Sequence, residues 1–438
     1  MKKVSPDIFE KVGALAKRRG FLYPGSEIYG GLAGTWDYGP LGVELKRNLK
    51  NEFWRSVVQS RDDVVGIDAA ILMHPKVWEA SGHLESFSDP LVECKKCHHR
   101  FREDQISDAC PDCGGKAFTA PKQFNLMVET YLGVVEGEKL KTYLRGEITQ
   151  GVHVNFKNVM DSTRVKFPFG VAQIGKAFRN EITPGGLTFR SREFEQMEVQ
   201  FYVEPKDKES MKWFEYWKKE RMAWYLSLGM AKKNLRFADH EKGKLAHYAR
   251  AATDIEYQAG DEWKEMEGIH HRGDFDVSRH QKFSGVDLSY FDEETKERYL
   301  PYIIETSGGV DRAALFFLMD SYREEEVKDG TRTVLKLHPK LAPYKAAVFP
   351  LLQNKPELVK LARKIYDELK ADTMVAWDDR GNIGKRYRAQ DEAGTPFCVT
   401  VDFDSLENDD VTVRDRDTMK QERVKMKVLG EYLKKQLQ

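Results

Sequence analysis

At 438 residues the chain is too long for one ordinary core, so two or three domains are expected. Its 41% hydrophobic and 32% charged content fits a folded enzyme and argues against a disordered chain. Lys+Arg and Asp+Glu balance at 70 each, which excludes steering toward nucleic acid by net charge and leaves RNA contact to local patches.

Met1-Lys2-Lys3-Val4-Ser5-Pro6 is not followed by an apolar signal core, and no run reaches the length of a membrane span. The expectation is a cytoplasmic protein without membrane contact. Leu41 to Val58 reads as an amphipathic helix, with Leu41, Leu45, Leu49, Phe53 and Val57 on one stripe and Pro40 in its first turn. That stripe serves either the chain's own core or a subunit interface.

Cys94-x-x-Cys97 and Cys110-x-x-Cys113 are separated by a dozen residues, between Asp89-Pro90 and Pro121. Two such knuckles indicate a closed tetrahedral Zn²⁺ site, structural rather than catalytic, in a small inserted module. His98 and His99 follow the first knuckle and either replace a Cys as ligand or are exposed neighbours, the reading preferred, and Cys398 stands alone in an apolar strand.

Lys176 to Val203 reads as a hairpin around Thr183-Pro184-Gly185-Gly186. Arg179 and Glu181 share a face of the first strand. On the second, Phe194, Gln196, Glu198 and Gln200 alternate with Met197, Val199, Phe201 and Val203. One side is core; the other is a solvated face or a polar floor with one ring for stacking on a base. Arg190 and Arg192 crowd the turn and would repel each other without an anion between them.

Tyr202 to Gly229 reads as helical and carries no recognisable chemistry. Pro301 to Ser307 reads as a strand with Glu305 and Ser307 on one face. Gly308-Gly309 is expected to turn sharply into a helix from Val310 to Met319. Arg312 in its first turn opposes the helix dipole, which suits a polyphosphate there; the alternative is an ion pair with Asp311 or a Glu. There is no Gly-x-x-x-x-Gly-Lys-Ser/Thr loop, so arginines would have to hold any ATP.

A second domain is expected from Leu337-His338-Pro339. Lys345–Leu352, Thr373–Trp377, Thr395–Val401 and Val411–Arg414 read as strands, and Pro356–Leu369, Gly384–Gln390 and Met419 onward as helices. Such alternation argues an open α/β sheet. Gly384-Lys385-Arg386-Tyr387-Arg388 is either an RNA contact or a solvated helix face.

Phe178-Arg179-Asn180-Glu181 with Arg192-Glu193-Phe194 resembles motif 2 of class II aminoacyl-tRNA synthetases. Gly308-Gly309-Val310-Asp311-Arg312 resembles motif 3, and Gly39-Pro40-Leu41-Gly42 with its helix resembles motif 1, which in that family lies at a dimer interface. Trp36-Asp37-Tyr38-Gly39, Phe194-Glu195-Gln196-Met197-Glu198, Thr253-Asp254-Ile255-Glu256-Tyr257 and Gly394-Thr395-Pro396-Phe397 extend the resemblance to dimeric glycyl-tRNA synthetases along nearly the whole chain.

The resemblance implies an α+β chain. An antiparallel-sheet class II catalytic domain would occupy residues 1–335, with a zinc-ribbon-like insertion carrying the four cysteines about 89–122 and a helical insertion about 204–250. An α/β anticodon-binding domain would follow at 340–438. It implies glycine, ATP with Mg²⁺, and tRNA(Gly) as substrates of a homodimer. Arg179 would contact the α-phosphate and Arg312 the γ-phosphate, with Phe194 stacked on adenine beside Glu181. Asn180, Phe189, Arg190, Arg192, Met266, Gly309 and Asp311 would complete the ATP site, and Glu265 would assist ATP and magnesium. Glu147, Glu198, Glu305 and Ser307 would surround the glycine ammonium, with Phe194, Gln196, Gly309 and Arg102 as further contacts. Gly146 stands where the family carries Pro, and Thr306 where it also carries Pro; both departures keep the adjoining Glu. A non-catalytic, synthetase-like nucleic-acid-binding subunit would lack Arg179 and Arg312, and a synthetase for another amino acid would lack the Glu147/Glu198/Glu305 set.

Overall fold

The computed structural model describes residues 8–106, 108–135, 137–241, 243, 249–328 and 330–437. The reading of residues 1–6 lies outside them.

A seven-stranded sheet organises the larger part of the chain. In spatial order its strands are Leu235–Asp239, Ala251–Ala259, Glu262–Gly273, Tyr302–Gly309, Glu193–Val203, Phe169–Phe178 and Val64–Gly66. All neighbours are antiparallel except the last pair. The alternation in Glu193–Val203 sets the two faces. Met197, Val199, Phe201 and Val203 enter the main core, onto which the helices Asp207–Ser227 and Val310–Ser321 pack. The opposite row faces the cleft described below.

The helix Pro40–Trp54 begins at Pro40 and ends in a π-helical turn, Arg55–Gln59. Leu41, Leu45, Leu49, Phe53 and Val57 are all buried in the same core, so this stripe serves the chain itself.

Four local expectations are corrected. The first hairpin strand ends at Phe178, so Arg179 and Glu181 lie in the loop beyond it. Gly308 and Gly309 do not turn: they are the last rungs of Tyr302–Gly309, paired with Met197 and Gln196, and the helix starts directly at Val310. Tyr202 and Val203 belong to the strand, and the helix that follows begins only at Asp207. Of the insertion expected to be helical, Leu235–Asp239 is the sheet's edge strand, and residues 242 and 244–248 lie outside the described residues.

The cysteine pairs sit on a three-stranded sheet of Arg100–Arg102, Ser88–Glu93 and Lys122–Asn125. The C-terminal part has its own core around a five-stranded sheet. Val375–Trp377, Ala346–Pro350 and Phe397–Val401 run parallel, while Asp410–Asp415 and Gln421–Lys425 add antiparallel to one side. The helix expected from Met419 is therefore first a strand, Gln421–Lys425, and then a shorter helix, Leu429–Gln436. Gln421–Lys425 is an edge strand that buries only Val424, so it leaves almost no apolar period to read.

Arg386 is also corrected as an RNA contact. It is 2% exposed, with its guanidinium donating to the carbonyls of Pro350 and Gly381. The Tyr387 hydroxyl is tied to Thr400. Both side chains hold the helix Ile383–Ala393 onto its own domain.

Candidate active site

Antiparallel register places the polar residues of three strands side by side. Gln200 pairs with Glu305, which pairs with His270; Glu198 pairs with Ser307, which pairs with Gly268; Gln196 pairs with Gly309. Side chains two apart on a strand share a face, so these rungs form one continuous polar floor. The floor underlies a cavity of about 190 Å³.

The deep end of the cavity is acidic. Glu198 Oε1 accepts from Ser307 Oγ at 2.6 Å and Gln196 Nε2 at 3.0 Å, and Oε2 from Gln200 Nε2 at 3.2 Å. Glu305 Oε2 meets His270 Nδ1 at 2.8 Å and accepts from Arg272 at 3.0 Å. Glu147 accepts from Gln150 at 2.9 Å and lies 3.3 Å from His83 Nε2. The three carboxylates titrate differently. Burial, then the charges of Glu305 and Glu147, push Glu198 up to about 8. Burial also opposes ionisation of Glu305, but Arg272 and His270 hold it well below the usual carboxylate range. For Glu147 burial is outweighed by His83, leaving it at about 2. Three carboxyl groups thus converge at this end of the cavity.

Behind it runs a buried polar frame. Asp276 accepts from Arg272 through both oxygens, at 2.7 and 2.9 Å, and from Gln150 at 3.0 Å. His280 Nε2 meets Gln150 Oε1 at 2.8 Å. The helix Phe275–Ser284 therefore links Glu147, through Gln150, to Glu305, through Arg272.

The open end is lined by arginines. Arg179 donates Nε to the Gly146 carbonyl at 3.1 Å and lies 5.1 Å from the ring centres of both Phe87 and Phe194. Arg312 lies 4.7 Å from the Phe189 ring and 3.0 Å from Glu265 Oε1. Glu265 is half-exposed, and the Arg312 charge holds its carboxyl below the usual range. Arg190 and Arg192 do not face each other: Arg190 Nε approaches Glu181 Oε2 at 3.9 Å, while Arg192 donates to the carbonyls of Ala33 and Glu181. Arg190 Nη1 is buried and makes no hydrogen bond, so this end retains a donor for an anion.

Asp311 turns away from Arg312. It accepts from Lys46 at 2.8 Å and from the Glu195 backbone N–H, and Lys46 also meets Glu195 Oε2 at 2.7 Å. Lys46 thus binds the Pro40–Trp54 helix to the floor strand and to the helix that carries Arg312.

The cavity lining brings together Arg179, Glu181, Phe189, Arg190, Phe194, Glu265, Met266, Gly309, Asp311 and Arg312 with Glu147, Gln196, Glu198, Glu305 and Ser307. Three residues from the sequence reading lie outside this lining. Asn180 faces a neighbouring cavity beside Met127 and Tyr143. Arg192 is turned to Ala33, and Arg102 pairs with Asp89 at 3.0 Å and Asp104 at 2.8 Å. Thr149, His270 and Arg272 line the cavity and were missed. The polar run His270-His271-Arg272 is a signal that could have found the last two. Gly146 is hemmed in: an added Cβ would lie 3.0 Å from the Phe87 ring and 3.1 Å from Met127 Sδ.

Away from this cleft, Cys94, Cys97, Cys110 and Cys113 bring their sulfurs within 4.8 Å of one another, in an arrangement able to hold a metal ion. His98 and His99 are exposed and pair with Glu93 and Asp112. Among the described residues no helix is long and apolar enough to cross a membrane.

Comparison with known proteins agrees with this geometry. Residues 134–321 match the family model of the tRNA synthetase class II core domain (G, H, P, S and T), and residues 345–436 match that of the anticodon binding domain. The chain is 53% identical to the glycine–tRNA ligase of Geobacillus thermodenitrificans (strain NG80-2), over 98% of this chain and 97% of that one. It is 52% identical to the glycine–tRNA ligase of Thermobifida fusca (strain YX), with 97% of each chain covered. It is likewise 52% identical to that of Borreliella burgdorferi (strain ATCC 35210 / DSM 4680 / CIP 102532 / B31), over 98% and 97%.

Proposed function

The chain belongs to the glycine–tRNA ligase family, with a class II core and an anticodon-binding domain, and from that premise we propose how its residues divide the work. It is an ATP-dependent ligase that activates glycine and joins it to tRNA. The observation that carries the assignment of roles is the polarity of one cavity: Glu147, Glu198 and Glu305 converge at its deep end, and Arg179, Arg190 and Arg312 line its open end.

Glycine sits with its ammonium among the three carboxylates and Ser307. Gln196, Thr149 and His270 crowd the same recess, so any side chain larger than hydrogen meets protein, and exclusion needs no editing site. ATP lies along the arginines, with its base on Phe194 and its phosphates held by Arg179, Arg190 and Arg312. The unbonded Arg190 Nη1 supports this placement. Mg²⁺ bound with ATP would offset phosphate charge, and the half-exposed carboxylate of Glu265 would be the residue to hold it.

The glycine carboxylate attacks the α-phosphorus in line. An oxygen–phosphorus bond forms as the α–β bridge breaks, and pyrophosphate leaves. Arg179 stabilises the charge that develops, and Arg312 holds the far end of the leaving group. The tRNA 3′-terminal hydroxyl then attacks the glycyl carbonyl and AMP departs. No protein nucleophile is required; position and charge carry the rate.

The four cysteine thiolates are assigned to structural Zn²⁺. The Cys94–Cys113 and Cys97–Cys110 sulfurs are each 3.6 Å apart, close to the roughly 3.8 Å edge of a tetrahedron with Zn–S bonds of about 2.3 Å. A homodimer is supported by Val43 on the outer side of the Pro40–Trp54 helix and by Ile28 and Tyr29 in the preceding loop, all exposed. Aminoacylation of tRNA(Gly) with glycine tests the assignment: wild type charges, and Glu198→Leu does not at any attainable glycine concentration. Undiminished charging by that variant would refute the ammonium site.

A further inference from the structure

Thr149 offers one hydroxyl proton to two carboxylates. Its Oγ1 lies 2.7 Å from Glu198 Oε2 and 3.1 Å from Glu305 Oε1, and the residue is 1% exposed. One O–H donates along one of these contacts. The other is then an oxygen–oxygen contact with no hydrogen in it, unless a carboxyl group brings a second proton.

The surroundings decide which carboxyl that is. Glu305 meets a guanidinium, Arg272, and the His270 ring, and so is stable as an anion. Glu198 has no ion pair among the described residues; its other partners are the Ser307 hydroxyl and the amides of Gln196 and Gln200. Amide N–H groups accept nothing. A proton on Glu198 Oε2 therefore points to Thr149 Oγ1, whose own O–H turns to Glu305 Oε1. Each atom is satisfied, and a buried anion without a counter-charge is avoided.

We propose that the empty pocket stores one proton in a Glu198–Thr149–Glu305 bridge, that an incoming ammonium expels it, and that Thr149 is the positioning residue that makes the sharing possible. The idea rests on the reading of this pocket as the ammonium site. In the exchange the Glu198 O–H bond breaks, its electron pair stays on Oε2, and the proton passes to solvent. The new carboxylate then accepts from the ammonium, and Thr149 is covalently unchanged. A neutral analogue of glycine cannot drive this exchange, so the bridge also selects for a charged amine.

The charged groups around Glu198 are consistent with this. Burial, then Glu305 from the neighbouring strand and Glu147 from the segment before Thr149, push Glu198 up to about 8, against donation from the Ser307 and Thr149 hydroxyls, which lowers it. Arg272 and His270 lie beyond Glu305, with Asp276 behind Arg272. His83 is turned to Glu147, His153 to Asp276, and Arg145 to backbone carbonyls. Arg179 stands at the open end of the cavity.

Calorimetric titration of the full-length protein with glycine, at about pH 7 in buffers of different ionisation enthalpy, counts the protons released. Wild type is expected to release most of one proton per glycine, because a carboxyl pushed well above neutral is mainly protonated there. Thr149→Ser keeps the hydroxyl and is expected to match. Thr149→Val removes the acceptor and is expected to release less than half as much. Glycine binding to wild type without proton release, or equal release from Thr149→Val, overturns the bridge and leaves the ammonium site standing. Absence of any glycine binding overturns both.

Discussion

Arg221 Nε lies 2.6 Å from Glu267 Oε1, with both side chains 1% exposed, on the apolar side of the sheet. The Arg221 guanidinium adds a second bond at 3.1 Å, and the Tyr225 hydroxyl donates to Glu267 at 2.6 Å. Glu267 pairs in register with Gly308. The helix Asp207–Ser227, which reads as chemically silent in the sequence, thereby fixes the strand that presents Glu265, Gly268 and His270 to the cleft.

Removing one partner of such a pair strands the other charge in the core. Arg221→Met is expected to lower stability by about 3–5 kcal/mol, measured by denaturant unfolding. The double variant Arg221→Met/Glu267→Gln removes both charges and is expected to recover part of that loss. Equal stability of Arg221→Met and wild type would mean the pair does not organise the sheet.

Arg179→Ala is expected to slow adenylate formation by ~10²–10³-fold while glycine affinity changes little. Arg179→Lys is not expected to restore the rate, because an ammonium cannot both donate to the Gly146 carbonyl and reach the Phe87 and Phe194 rings as the planar guanidinium does. Single-turnover kinetics separates the two effects.

Asp276→Asn weakens one of the two carboxylate contacts of Arg272, leaving the one to Glu305, and so loosens the frame behind Glu305. The expected result is a KM for glycine raised by roughly 10–100-fold, equivalent to about 1–3 kcal/mol, with the KM for ATP nearly unchanged. An equal rise in both constants would place Asp276 in general stability instead.

Metal removal is expected to act locally. Chelation should abolish hydrogen-exchange protection in Ser88–Glu93, Arg100–Arg102 and Lys122–Asn125, and leave the seven-stranded sheet protected. Retained protection in those three strands, with metal shown to be absent, would make the cysteine cluster dispensable for folding.

The residues that were legible in the sequence are those whose pattern is local. Period-2 alternation in Glu193–Val203 separates core from floor, and the two Cys-x-x-Cys knuckles stand out by spacing alone. What stayed hidden depends on tertiary register. Nothing local places Thr149 between Glu198 and Glu305, or Asp276 behind Arg272, because those contacts join segments far apart in the chain. Arg386 misleads for the opposite reason: its charge suggests solvent, yet the guanidinium is consumed by loop carbonyls. Arg221 is hidden in the same way, as a cation that reads like helix surface and pairs with Glu267 in the core. Met419 onward suggests a helix because the edge strand Gln421–Lys425 buries one side chain and has no visible period.

ATP–pyrophosphate exchange, run with each amino acid in turn and without tRNA, tests the account at its centre. Exchange with glycine alone, abolished in Glu198→Leu and strongly slowed in Arg179→Ala, is the predicted result. Exchange with a larger amino acid, or none with any amino acid from folded protein, would contradict it.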